Sequence, residues 1–150
     1  MPLKRWPYTI GGYSVHQYIF TPDAALGAAI STGDQQGSVY VSGPGNEIVK
    51  RIVSHCETAP LTSNARWQIE YASTATGNAY EDLNAISAWT EIDLFDHTFG
   101  ATNLTIISTS FSVGFIPSRR AIRFNIELAG GTPAQNVTVI MEVLRPLQAS

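Results

Sequence analysis

The side chains that could do chemistry in this 150-residue chain are few and scattered. Its three histidines, His16, His55 and His97, share no ligand spacing of the H-x-x-x-H kind, and no serine sits in a G-x-S-x-G turn. Cys56 is the only cysteine, and adjacent residues of a strand leave opposite faces, so His55 does not activate it. The tightest polar constellation is Asp93, Asp96 and His97. Two carboxylates and an imidazole could hold a cation at a strand end, but no further carboxylate follows at close spacing, and a solvated turn is the expected reading. Gly11-Gly12 and Gly130-Gly131 lack the strand-to-helix frame and the following lysine of a phosphate loop, so they read as turn glycines. Trp67, Tyr71, Tyr80 and Trp89 could form an aromatic platform for a sugar ring. Alternation instead puts Trp67 and Tyr71 on a core-facing side and leaves Tyr80, in a loop, as a contact candidate. The expectation is no catalytic residue, no metal and no cofactor.

Composition narrows the partners. Nine Lys+Arg against 12 Asp+Glu give a net charge of −3, with no basic field to replace phosphate counterions, so nucleic acid is excluded as a partner. No stretch has the roughly 18 apolar residues of a spanning helix, and the start, Met1-Pro2-Leu3-Lys4-Arg5-Trp6-Pro7, lacks the apolar run of a signal peptide. A membrane partner is not expected, and synthesis in the cytoplasm is. Charged residues make up only 14% of the chain, where about a quarter is usual, and just two are lysines, Lys4 and Lys50. Lysine is depleted at protein interfaces while arginine and aromatics are enriched there, which points to an assembly subunit.

The elements that must position these residues follow a period of two. Tyr13 to Phe20 reads as a strand stopped by Thr21-Pro22, with a short helix through Leu26 as a weaker alternative to a strand at Ala28–Ser31. That strand, a turn at Gly33–Gly37 and a strand at Ser38–Ser42 would make a hairpin. From Glu47 apolar residues occur on both parities, predicting a strand half-covered on each side. Trp67, Ile69 and Tyr71 alternate with Arg66, Gln68 and Glu70, predicting one buried face. A loop is expected from Ser73 to Ala88, a strand over Trp89–Leu94, and one or two strands between Leu104 and Phe115. Ala121–Leu128 is the best-patterned strand. A glycine-rich turn then returns Val137–Leu144, most simply as its antiparallel partner. Short strands with turn signals and no helical period predict an all-β fold, a single antiparallel β-sandwich or jelly-roll-like domain over residues 13–150, preceded by an extended N-terminal arm, residues 1–12.

The run Arg66–Ser73, a polar loop and Ala88-Trp89-Thr90-Glu91-Ile92 resembles the strand-loop-strand of sandwich modules in tailed-bacteriophage virion proteins. Ala121–Ile126, Gly130-Gly131-Thr132 and Val137–Ile140 look like their closing hairpin. The resemblance covers residues 65–145. It implies a virion structural protein of the capsid decoration (cement) type, found in the virion, binding the major capsid protein or other virion subunits and forming a homotrimer over joints in the shell. A tail, baseplate or connector subunit is the first alternative. A carbohydrate-binding, lectin-like module is the second, although the loop runs Tyr80-Glu81-Asp82-Leu83-Asn84 where the sugar-binding pattern has an Asp-Gly turn. In the arm, Arg5, Trp6 and Tyr8 combine a cation with two amphipathic rings. They are expected to anchor on a neighbouring subunit.

Overall fold

The computed structural model describes residues 9–10, 12–22, 30, 32–33, 39–73 and 88–147, which hold eleven strands and no helix. These are β1 (Thr9–Ile10), β2 (Tyr13–Phe20), β3 (Tyr40–Val41), β4 (Glu47–Thr58), β5 (Ala65–Ala72), β6 (Trp89–Glu91), β7 (His97–Phe99), β8 (Thr105–Ser108), β9 (Phe115–Ile116), β10 (Ala121–Leu128) and β11 (Gln135–Pro146). A six-stranded sheet runs β1-β2-β11-β4-β8, with β9 also on β4; a five-stranded sheet runs β3-β10-β5-β6, with β7 also on β5. Every pairing between them is antiparallel. The all-β sandwich is therefore as expected.

The two sheets enclose one core. Tyr18, Phe20, Ile52, Val139 and Met141 come from the first sheet; Trp67, Ile69, Ile122, Phe124 and Ile126 come from the second. Its centre is aromatic: Trp67 stacks on Phe99 with centroids 4.6 Å apart, meets Phe124 edge-on at 6.0 Å, and Phe124 in turn meets Phe20 at 6.0 Å.

Two departures from the sequence reading have clear causes. The mixed parity of β4 is not a strand half-covered on both sides. A β-bulge opposite Glu142 and Val143 inserts one residue, so Glu47 and Val49 point inward before it and Ile52, Ser54 and Cys56 after it. The second concerns β11, which does not return beside β10. Both edges of β10 are taken, by β3 and β5, and β11 crosses to the other sheet to lie between β2 and β4. The crossing is built at Ala129–Ala134. Gly130 adopts φ +97°, and a Cβ there would lie 2.7 Å from Pro60 Cβ, so the corner packs tightly on the β4–β5 connection. Leu61 and Thr132 pair by two backbone hydrogen bonds of 3.0 and 2.8 Å. β3 pairs with β10, while most of the other arm and turn of the hairpin expected over Ala28–Ser42 lies outside the described residues. Thr9–Ile10 join the sheet edge against Ser14 and Tyr13.

Candidate functional site

Asp93 and His97, set apart by the sequence, come together with a residue from the opposite sheet. After β6 the chain buries Ile92, whose N–H donates to the Ile69 carbonyl, and then turns through Asp93–Asp96 into β7. The Asp93 carboxylate is buried. Its Oδ2 lies 2.7 Å from His97 Nε2, and its Oδ1 accepts from Ser108 Oγ at 2.9 Å and from the Phe95 N–H at 3.3 Å. His97 Nδ1 is 2.6 Å from Ser54 Oγ, which also accepts from Trp67 Nε1 at 2.9 Å. One hydrogen-bond assignment runs along this line: Trp67 donates to Ser54, Ser54 to His97 Nδ1, and His97 Nε2–H to the Asp93 carboxylate. Burial opposes the charge on Asp93, but the hydrogen bonds from His97, Ser108 and Phe95 outweigh it and hold the carboxyl below its usual range. The expected solvated turn is thus a buried anchor.

Serine, histidine and aspartate in one line invite comparison with nucleophilic catalysis, which needs a substrate beside the hydroxyl. Ser54 is fully buried. The space bounded by Ile52, Ser54, Trp67, Asp93, His97 and Val139 leaves no room for a water molecule. The line of hydrogen bonds instead fixes a turn, and that turn presents Leu94 and Phe95 to solvent, 52% and 72% exposed. Leu94 N–H is held by the Ser110 carbonyl, and Asp93 N–H by Gln68 Oε1. Two large apolar side chains therefore stand on a backbone pinned from three sides.

Asp96 turns away from the anchor. Arg66 Nε lies 3.3 Å from Asp96 and 2.7 Å from Glu127, and Glu91 completes a group of three carboxylates whose oxygens lie within 4.8 Å of one another. Burial, then Asp96, Glu127 and Glu70, push the Glu91 carboxyl upward. The Arg66 guanidinium already serves two of the three, a charge ladder more than a cation cage. Beside it Arg123 Nε donates to Glu70 at 2.7 Å, Asn125 donates to the same carboxylate at 3.2 Å, and Trp89 lies 4.0 Å from the Arg123 guanidinium carbon. Gln68, Glu70 and Arg123 are buried, so β5 is covered on both faces, not on one as its alternation predicts.

No protein-family model matches the chain, and no curated protein matches it. A solved structure does. A chain from the capsid of Ralstonia phage GP4 is similar to this one with a TM-score of 0.45 and 14% sequence identity, over 99% of this chain and 93% of that one.

Cys56 is buried and His55 exposed on the opposite face, bonded to Thr105, as alternation requires. The aromatic platform does not form: Trp67 is in the core, Tyr71 packs against it, and Trp89 covers Arg123 on the other face of the sheet. Arg5, Trp6, Tyr8 and Tyr80 lie outside the described residues. A second buried anchor had no signal in the sequence. Glu47 accepts from Arg145 Nε at 2.7 Å, from Gly43 N–H at 3.1 Å and from the Tyr18 hydroxyl, and Arg145 reaches Tyr18 Oη at 2.9 Å. Burial and the Glu47 carboxylate push the Tyr18 phenol far above its usual range.

Proposed function

We propose that this chain is a structural subunit of a tailed-phage virion, of the capsid decoration type, which binds neighbouring shell subunits and raises the work needed to separate them. The observation that carries the reading is the Leu94–Phe95 turn, where exposed apolar side chains stand on a backbone held by buried hydrogen bonds. Such side chains lose little freedom on docking, which is how a few anchor residues come to dominate an interface. The scarcity of lysine and the resemblance of residues 65–145 to virion sandwich modules support the same reading. The N-terminal residues Arg5, Trp6 and Tyr8 are proposed as a second grip.

Co-sedimentation with purified empty shells tests this. The wild-type chain is expected to sediment with shells, and Leu94→Asp with Phe95→Asp to lose at least about tenfold in binding while keeping its strand spectrum. Deletion of residues 1–8 should weaken binding as well. Undiminished binding by the doubly substituted chain overturns the reading, and selective binding to tails or baseplates moves it to the tail-subunit alternative.

A further inference from the structure

The outer face of the six-stranded sheet carries a pattern that the shell-binding turn does not explain. Cross-strand register aligns its outward side chains in rows perpendicular to the strands. One row is Ile19, Ile140, Val53 and Ile107, from β2, β11, β4 and β8. Another is Val15, Leu144, Ile48 and Phe115, from β2, β11, β4 and β9. Between them lies a polar row, Gln17, Glu142 and Arg51, in which Arg51 and Gln17 flank the Glu142 carboxylate at 3.7 and 3.5 Å. Ile19, Ile107 and Phe115 are 44%, 62% and 47% exposed. Outward positions of a solvated sheet face are ordinarily polar, and here two of three adjacent rows are apolar across four strands.

We infer that this face is the contact with a second copy of the chain, related by a two-fold axis that runs parallel to the strands between β11 and β4. The occupant follows from the pattern being its own complement. Such an axis lays β11 of one copy over β4 of the other, and β2 over β8 and β9. Ile140 then meets Val53, Leu144 meets Ile48, Ile19 meets Ile107 and Val15 meets Phe115, while Glu142 of each copy meets Arg51 of the other. Both charge contacts are attractive and both apolar rows meet apolar rows, which is what an isologous interface requires. The homotrimer implied by the family resemblance would use unlike patches and gains nothing from this symmetry.

The inference does not depend on shells, so its test uses the purified full-length chain alone. Sedimentation equilibrium is expected to give twice the 16.3 kDa chain mass. Glu142→Arg and Arg51→Glu each place like charges opposite one another and should each weaken self-association at least about tenfold. Mixing the two variants sets a cation opposite a carboxylate at both charge contacts of the mixed pair, and should restore the doubled mass. If either reversal loses its strand spectrum, Ile107→Lys, at an exposed edge, replaces it and should give a monomer. A wild-type chain at 16.3 kDa or three times that mass, a mixture that stays dissociated, or a doubled mass for Ile107→Lys overturns the inference.

Discussion

Ser54 Oγ lies 2.6 Å from His97 Nδ1, joining β4 of one sheet to β7 of the other through the middle of the sandwich. Since Trp67 Nε1–H donates to the same oxygen, the hydroxyl is the shared partner of a buried indole donor and a buried imidazole nitrogen. Ser54→Ala should therefore cost about 3 kcal/mol, more than an ordinary hydroxyl, because it strands both partners away from water. A Tm lower by roughly 6–12 °C is the expected readout. The same variant should leave any background ester hydrolysis unchanged, since the hydroxyl is not presented to solvent.

The Asp93 carboxyl is held below its usual range, so its sign in acid is fixed. The stability it contributes is fully present above the unfolded value near about pH 4 and is lost as pH falls through the lower folded value. Chemical denaturation at a series of pH values should show this loss in the wild type and a flatter acid limb in Asp93→Asn. An unchanged acid limb would show that Asp93 is not ionised in the folded chain.

Glu91 has the opposite sign. Its carboxyl is pushed upward, so the ionised form opposes folding at neutral pH and protonation relieves it. Glu91→Gln should raise the Tm at pH 7, and the gain should fade as pH falls through the raised folded value and be gone below the ordinary glutamate value of about 4.3. A lower Tm at pH 7 would mean that Glu91 is a needed partner of Arg66.

Gly130→Ala tests the corner that sends β11 to the other sheet. A left-handed φ costs an alanine about 1–2 kcal/mol, and the new methyl also meets Pro60. A loss of about 2 kcal/mol or more is expected in urea unfolding, against near-neutrality for alanine at Gly114, where nothing lies within 4 Å.

Much of this architecture was legible in the chain. Tyr13–Phe20 and Ala121–Leu128 are strands with the bounds the sequence predicts, the first because a run of β-formers ends at Thr21-Pro22, the second because every even position is apolar. What failed was non-local. Nothing in Val137–Leu144 distinguishes a partner on β10 from partners on β2 and β4, since pairing depends on which sheet edges are already filled. The bulge in β4 hid its inward face by shifting parity after Val49. At the candidate site, the grouping of Asp93, Asp96 and His97 in sequence was visible, but its role was not. Ser54 lies 43 residues from His97, and Trp67 lies on a third strand, so their convergence exists only in the packed sandwich.

The central claim, a shell-bound structural subunit, is tested most directly by counting copies of the chain in purified particles with quantitative mass spectrometry. Decoration of a symmetric shell predicts on the order of hundreds of copies per particle, in a fixed ratio to the major capsid protein. A few to dozens of copies would contradict decoration in favour of a tail or connector position, and absence from the particle would contradict the virion role altogether.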